Sequence, residues 1–327
     1  MITVQIYFET NCGDCAQILA DLKELQVQYP HRVAEINIDQ DAALKNTYND
    51  KTPLVKVGPY TLQKPIRKQD LQVALGAALD REKTLRAVGN DQFNQKVERG
   101  KVMSGTDRFS LWLSKNYMLL FNFVLLVYAG LPFLAPSFMK IGWTLPARAI
   151  YTIYSPLCHQ LAFRSWFLYG EQAFYPRELA GIPGVITYET LSNQSDINIM
   201  DARRFIGNET LGYKVALCER DVAIYGAMFL FGVAFMLTGR RFKPIPWYLW
   251  LVFGLIPIGL DGFSQLPSLV KNFFPQWILI RESTPLLRTL TGSLFGVFTA
   301  WYLFPMVEQA MQDTRSLLLS KKASIPS

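Results

Sequence analysis

The stretch 116–139 holds no charged residue over its whole length. A run this long and apolar crosses the roughly 30 Å hydrocarbon core of a bilayer as a helix. Three further apolar runs, 221–239, 244–266 and 288–308, follow it, so a single buried core helix of a soluble domain explains the pattern poorly. Whatever precedes 116 lies on one side of a membrane.

Composition supports that division. Half of the 327 residues are hydrophobic and 18% are charged. That is too apolar for an ordinary soluble enzyme and too charged for a wholly embedded chain. Residues 1–115 read as soluble, and the apolar runs fill 116–311. The net charge of +7 is assigned to Lys and Arg on cytoplasmic segments. No Arg-rich nucleic-acid motif is visible, so no nucleic-acid partner is expected. The opening MITVQIYFET lacks a basic region followed by a long apolar one, and no cleavable signal peptide is expected.

The N-terminal part alternates strand and helix signals. Residues 2–8 are β-branched and aromatic and read as a buried strand. The strand stops at Asn11-Cys12-Gly13-Asp14-Cys15, and a helical pattern follows with Ile18, Leu19, Leu22 and Leu25 on one face. Strands are predicted over 33–38, 54–57 and 61–62, a short helix over 41–48 and a closing helix over 68–79. A Cys-x-x-Cys at a strand-to-helix junction reads as a redox dithiol, because the helix N-terminus stabilises a thiolate. Cys12 attacks and Cys15 resolves the mixed disulfide; Asp14 partly opposes thiolate formation. Half a zinc site is the weaker reading, since His31 alone does not complete four ligands.

On this strand–CGDC–helix order, and on Thr52-Pro53 before a strand, residues 1–80 resemble the thioredoxin fold and most closely its short glutaredoxin-like domains. The resemblance implies a cis Thr52-Pro53 bond, with Pro53 beside the catalytic Cys12 and Cys15. Glutathione is the co-substrate it brings to mind, and CGDC departs from the usual motifs of that fold. Residues 81–115 form a polar linker ending in Lys96, Arg99, Lys101, Arg108 and Lys115.

That basic linker, the loop Arg240-Arg241-Phe242-Lys243 and the tail 312–327 with Arg315, Lys321 and Lys322 all fall on one side if four spans are present. The positive-inside rule makes that side cytoplasmic. The expectation is a multi-pass plasma-membrane protein with both termini inside: an α/β domain followed by an all-α membrane domain. Residues 143–170 are apolar but carry two arginines and two prolines, and are expected as an amphipathic helix at the outer interface.

Polar residues gather at the outer ends. Cys158, His159, Gln160 and Arg164 fall on that interfacial helix. Cys218, Arg220 and Asp221 open the second span, with Tyr225 a turn further in. Asp261 and Gln265, four apart, end the third, and Glu282 precedes the fourth, where Arg288 sits. Ionisable groups at membrane depth are costly and mark a site by default. Three readings stay open: a Cys158–Cys218 disulfide or redox pair; zinc on Cys158, His159 and Cys218 with a carboxylate such as Asp221 or Asp261; or an ion-pair network. Adjacent helical residues point about 100° apart, so Cys158 and His159 share an ion only where the helix is distorted.

The pattern Cys158-His159-Gln160…Arg164-Ser165, Cys218-x-Arg220…Tyr225, Asp261-Gly262…Gln265, Arg281-Glu282-Ser283…Arg288…Thr291-Gly292 resembles, over 150–300, a prokaryotic membrane family defined as domain of unknown function 2085. The insert 170–217 departs from it, and the family implies no activity. Two functions follow. One is a membrane-tethered thiol–disulfide oxidoreductase exchanging with a cytoplasmic thiol or a protein disulfide. The other is a metal- or solute-binding or transport module with a regulatory redox domain. Sulfur exchange needs contact, and a bilayer between Cys12 and Cys158 forbids it.

Overall fold

β1 (Ile2–Phe8) is the centre of a four-stranded sheet in the order β2-β1-β3-β4. It pairs in parallel with β2 (His31–Asn37) and antiparallel with β3 (Leu54–Val57), which continues into β4 (Tyr60–Gln63). Successive strand residues point to opposite faces; β1 puts Ile2, Val4, Ile6 and Phe8 on one and Thr3, Gln5 and Tyr7 on the other. One face places Val4 and Ile6, with Val55 and Val57 of β3, against Ile18, Leu22 and Leu25 of α1 (Cys15–Leu25) and Leu71 and Leu75 of a later helix, Lys68–Ala87. This helix runs beyond the expected 68–79 because residues 80–87 contain no Gly or Pro to stop it.

The other face buries Tyr7, Ile36, Ile38 and Leu54 with Leu44 of α2 (Ala42–Tyr48). Leu319 and Ala323 pack on it too. The Tyr7 hydroxyl lies 2.7 Å from Ser320 Oγ, and the Gln5 amide donates to Ser324 Oγ at 2.8 Å. The stretch expected as a tail, 312–327, is therefore mostly the end of a 40-residue helix, Pro285–Ser324, and a layer of the first unit.

The computed structural model describes residues 2–88, 102–193, 197–269 and 281–325. The basic linker residues Lys96, Arg99 and Lys101 lie outside them. The chain divides into two units, Met1–Tyr117 with Glu308–Ser327, and Met118–Val307.

In the second unit the apolar runs are helices. Those of Gly105–Lys140, Glu219–Leu237 and Pro285–Ser324 are long and apolar enough to cross a membrane, and Trp247–Phe263 is a shorter apolar helix. Their outward side chains are apolar: Phe123 is 59% exposed, Leu230 68% and Leu260 68%. Lipid, not water, satisfies such faces. Pro132 cannot donate to the carbonyl of Tyr128; the Tyr154 hydroxyl donates there instead, at 3.0 Å. Gly292 and Gly296 let two helices touch. A Cβ on Gly296 would lie 2.3 Å from the Ile224 carbonyl oxygen, and one on Gly292 2.8 Å from that of Arg220, the close approach small residues permit in membranes.

Two expectations are corrected. The helix predicted over 143–170 covers only Thr144–Tyr154; the chain then turns through Pro156, whose missing N–H cannot extend the helix, and Ser165–Leu168 is a strand. Nor is this half all helical. β5 (Ser165–Leu168), β6 (Gly207–Asn208) and β7 (Gly212–Cys218) make an antiparallel sheet in the order β5-β7-β6, within and beside the 170–217 insert.

The docked C-terminal helix is testable in the detergent-purified protein. Ser320→Arg is expected to cost about 2–3 kcal/mol by overpacking and to speed amide exchange in β1 and β2. Leu317→Arg, at a side chain 70% exposed, should leave both unchanged. Equal protection in the two variants would show that the helix does not cover the sheet.

Candidate functional site

The dithiol sits where β1 gives way to α1. Cys12 donates its N–H to the Glu9 carbonyl at 3.1 Å, and Cys12 and Cys15 are joined in a disulfide with Cα atoms 5.5 Å apart. Cys15 opens α1 and is buried; Cys12 is partly exposed. The Thr52-Pro53 bond is cis. Extending the β1–β3 register one pair past Tyr7↔Leu54 puts Pro53 across from Phe8, and Thr52 donates to Glu9 Oε1 at 2.5 Å. Cys12, Cys15 and Pro53 thus share one end of the sheet. His31 pairs with Ile2 at the other end and is buried, so it is no ligand partner for the dithiol.

The second constellation belongs to the other unit. After Thr144–Tyr154 ends, Cys158 donates its N–H to the Tyr154 carbonyl at 3.0 Å. Gln160 turns the chain with φ +50°. Its buried amide donates to the carbonyls of Tyr151, at 2.9 Å, and Ala216, at 3.0 Å. That clamp ties the Cys158 loop to β7, whose last residue, Cys218, faces Ser165 of β5 and caps the helix Glu219–Leu237. One sulfur from each strand of chain therefore meets the first turn of that helix. The Cys158 and Cys218 sulfurs and an Asp221 carboxylate oxygen all lie within 4.8 Å of one another. Both thiols are free. The Cys218 thiol hydrogen-bonds to Cys158, which holds Cys158 below the usual thiol range; that bond and burial push Cys218 well above it. A cavity of about 390 Å³ opens beside them, lined also by His159, Arg164, Arg220, Gln265 and Arg288. His159 is exposed and outside the close group.

Around this lies an ion-pair network. Buried Arg288 donates to Glu219 Oε2 at 3.0 Å, to Glu282 Oε1 at 2.5 Å and to the Phe163 carbonyl at 3.3 Å. Arg164 donates to the same Glu282 oxygen at 2.7 Å. Asp261 accepts from Arg220 and from the Gln265 amide, the latter at 3.2 Å, and Arg281 approaches it at 3.5 Å. Tyr225 packs edge-on to Tyr128 at 4.4 Å, and Tyr128 in turn packs against the cluster that holds Cys158.

Three contributors were missed. Glu219 sits between two residues that were singled out, and its own charge was the available signal. Arg177, which reaches Glu282 at 4.0 Å, lies in the insert. Lys214 is 1% exposed in an apolar strand and gave no signal. Its Nζ donates to the carbonyls of Gln160, at 2.7 Å, and Arg203, at 2.5 Å. Burial pushes its pKa down to about 7 against the pull of Cys158.

Comparison with known proteins agrees with this division. Residues 3–79 match the family model described as a glutaredoxin-like domain, domain of unknown function 836. Residues 203–302 match that of a predicted membrane protein, domain of unknown function 2085. The chain thus joins a stretch that matches a glutaredoxin-like domain to a stretch that matches that predicted membrane protein family; Cys158-His159-Gln160 precedes the second match. It is similar to the uncharacterized protein MJ1492 of Methanocaldococcus jannaschii, 25% identical over 202 residues that make up 59% of this chain and 94% of the relative. No solved structure matches the chain.

Removing one partner of a buried ion pair strands the others at low dielectric. Arg288→Met is therefore expected to cost about 3–5 kcal/mol, read as a lower melting temperature in detergent. Arg164→Met should cost less, because its side chain is 19% exposed and Arg288 still holds Glu282. Equal losses would argue against Arg288 as the hub.

Proposed function

We propose that the protein is a membrane-anchored thiol–disulfide redox protein, with its CGDC dithiol on the cytoplasmic side and the Cys/Arg/Asp cluster at the outer face. The carrying observation is the Cys12–Cys15 disulfide at the entry to α1, one cysteine partly exposed and the other buried. In the reduced form the Cys12 thiolate attacks a disulfide of the substrate, forming a mixed disulfide and releasing one thiolate. Cys15 then attacks Cys12, releases the second substrate thiol and leaves the Cys12–Cys15 disulfide. Two electrons pass to the substrate, and a cytoplasmic thiol of the glutathione class returns them.

Sidedness has two supports. Both chain ends, through Tyr117 and from Glu308, belong to one compact unit, so the chain between them crosses the bilayer an even number of times. The three long apolar helices among the described residues do not meet that parity. Trp247–Phe263 as a fourth crossing does, and about 17 residues is the short end of a workable span. Arg240, Arg241 and Lys243 then lie on the same side as Lys321 and Lys322, which is the cytoplasmic side by charge. A second reading, a metal- or solute-binding membrane module regulated by the redox domain, is favoured by one observation, the convergence of Cys158, Cys218 and Asp221.

The test is reduction of a small aliphatic disulfide by the full chain in detergent, with glutathione as electron donor. Cys12→Ser should abolish turnover, and Cys15→Ser should accumulate a mixed disulfide on Cys12 visible by mass spectrometry. Turnover surviving in Cys12→Ser contradicts the redox reading.

A further inference from the structure

We propose that Cys158, Cys218 and Asp221 form a site for one thiophilic divalent cation of the zinc class, with a coordination position open to the adjoining cavity. This goes beyond the redox reading, which rests on Cys12 and Cys15.

The donor set is what such an ion takes: two sulfurs and a carboxylate oxygen, all within 4.8 Å of one another. Bonds of about 2.3 Å to sulfur and about 2.1 Å to oxygen put tetrahedral ligand atoms roughly 3.3–3.8 Å apart, so side-chain rotation is enough to close the shell. Three supports hold the donors before any ion arrives. Cys158 lies on the loop pinned by its own N–H to Tyr154 and by the Gln160 amide to Ala216. Cys218 is fixed by its pairing with Ser165. Asp221 lies three residues further on, in the first helical turn and on the same side as Cys218. Donors already in place lose little side-chain entropy on binding.

Charge is consistent with this. Two thiolates and a carboxylate carry three negative charges; a divalent ion leaves one, and Arg220 lines the same cavity. Of the donors read from the sequence, which were Cys158, His159, Cys218 and a carboxylate such as Asp221 or Asp261, only Cys158, Cys218 and Asp221 form the close group. The obstacle of neighbouring helical side chains is gone, because 158–160 is not helical, but the third close donor is Asp221. Cys158, Cys218 and Asp221 all line the cavity of about 390 Å³, which leaves room for the water or anionic ligand that an open zinc position admits.

The test is metal analysis of the full chain, purified in detergent with a reductant and equilibrated with buffered zinc. About one ion per chain is expected, retained in Cys12→Ser and in His159→Ala, and lost in Cys218→Ser and in near-isosteric Asp221→Asn. Cobalt(II) in place of zinc should give a thiolate-to-metal charge-transfer absorption that Cys218→Ser weakens. Melting curves of Asp221→Asn separate lost binding from lost fold. Three outcomes overturn the proposal: wild-type zinc no higher than in the Cys158→Ser, Cys218→Ser double variant; ion lost with His159→Ala but kept with Asp221→Asn; or a Cys158–Cys218 disulfide, without metal, in protein alkylated before any reductant is added.

Discussion

A β-sheet that buries apolar side chains on both faces needs two covers, and the N-terminal domain supplies only part of the second. α1 and Lys68–Ala87 bury Val4 and Ile6 on one side. On the other, Tyr7, Ile36 and Leu54 are met by α2 and by Leu319 and Ala323 from the far end of the chain. Burying such side chains stabilises by about 1.5–3 kcal/mol each, which outweighs the entropy of ordering a few helical residues. This contact joins residues separated by more than 300 positions, as in the pair Tyr7 and Ser320. In a membrane chain it also constrains topology, because two segments packed in one unit share a side of the bilayer.

The second unit answers a different constraint. Its helices are apolar outward, so hydrophobic burial does little to choose their partners in lipid. Close backbone contact at Gly292 and Gly296 and paired buried charges take that role. Glu282, whose side chain is fully buried, accepts from both Arg164 and Arg288. Such pairs add less stability than hydrophobic packing would, and their geometry is demanding. They fix which helix ends meet, and the Cys158 and Cys218 sulfurs meet where those ends converge.

The legible features were those set by local pattern. Uninterrupted apolar runs marked the membrane helices, and a strand ending at Cys-x-x-Cys marked the dithiol. Charged residues at the ends of apolar runs marked Arg288, Asp261 and Glu282 before any contact was known. The insert sheet was not legible, because Gly212–Cys218 is buried on both faces and shows no alternation. Nor was the course of 155–165: its apolar content fits a helix, and Pro156 alone decides otherwise. The docking of Leu319 and Ala323 leaves no local mark, since an amphipathic helix end looks the same whether it meets a sheet or water. Asp221 was legible as a candidate carboxylate donor, but nothing local in the sequence separated it from Asp261 or excluded His159 from the close group.

The proposed four-crossing arrangement would put a bilayer between the two sulfur centres, one in each unit, and keep their chemistry separate. The most direct measurement of that arrangement is labelling of intact cells with a membrane-impermeant maleimide after mild reduction, comparing Cys12 with a cysteine introduced at exposed Glu178. Glu178→Cys should label in intact cells, and Cys12 only after permeabilisation. Labelling of Cys12 and of the introduced cysteine under the same condition would place both units on one side and contradict the arrangement.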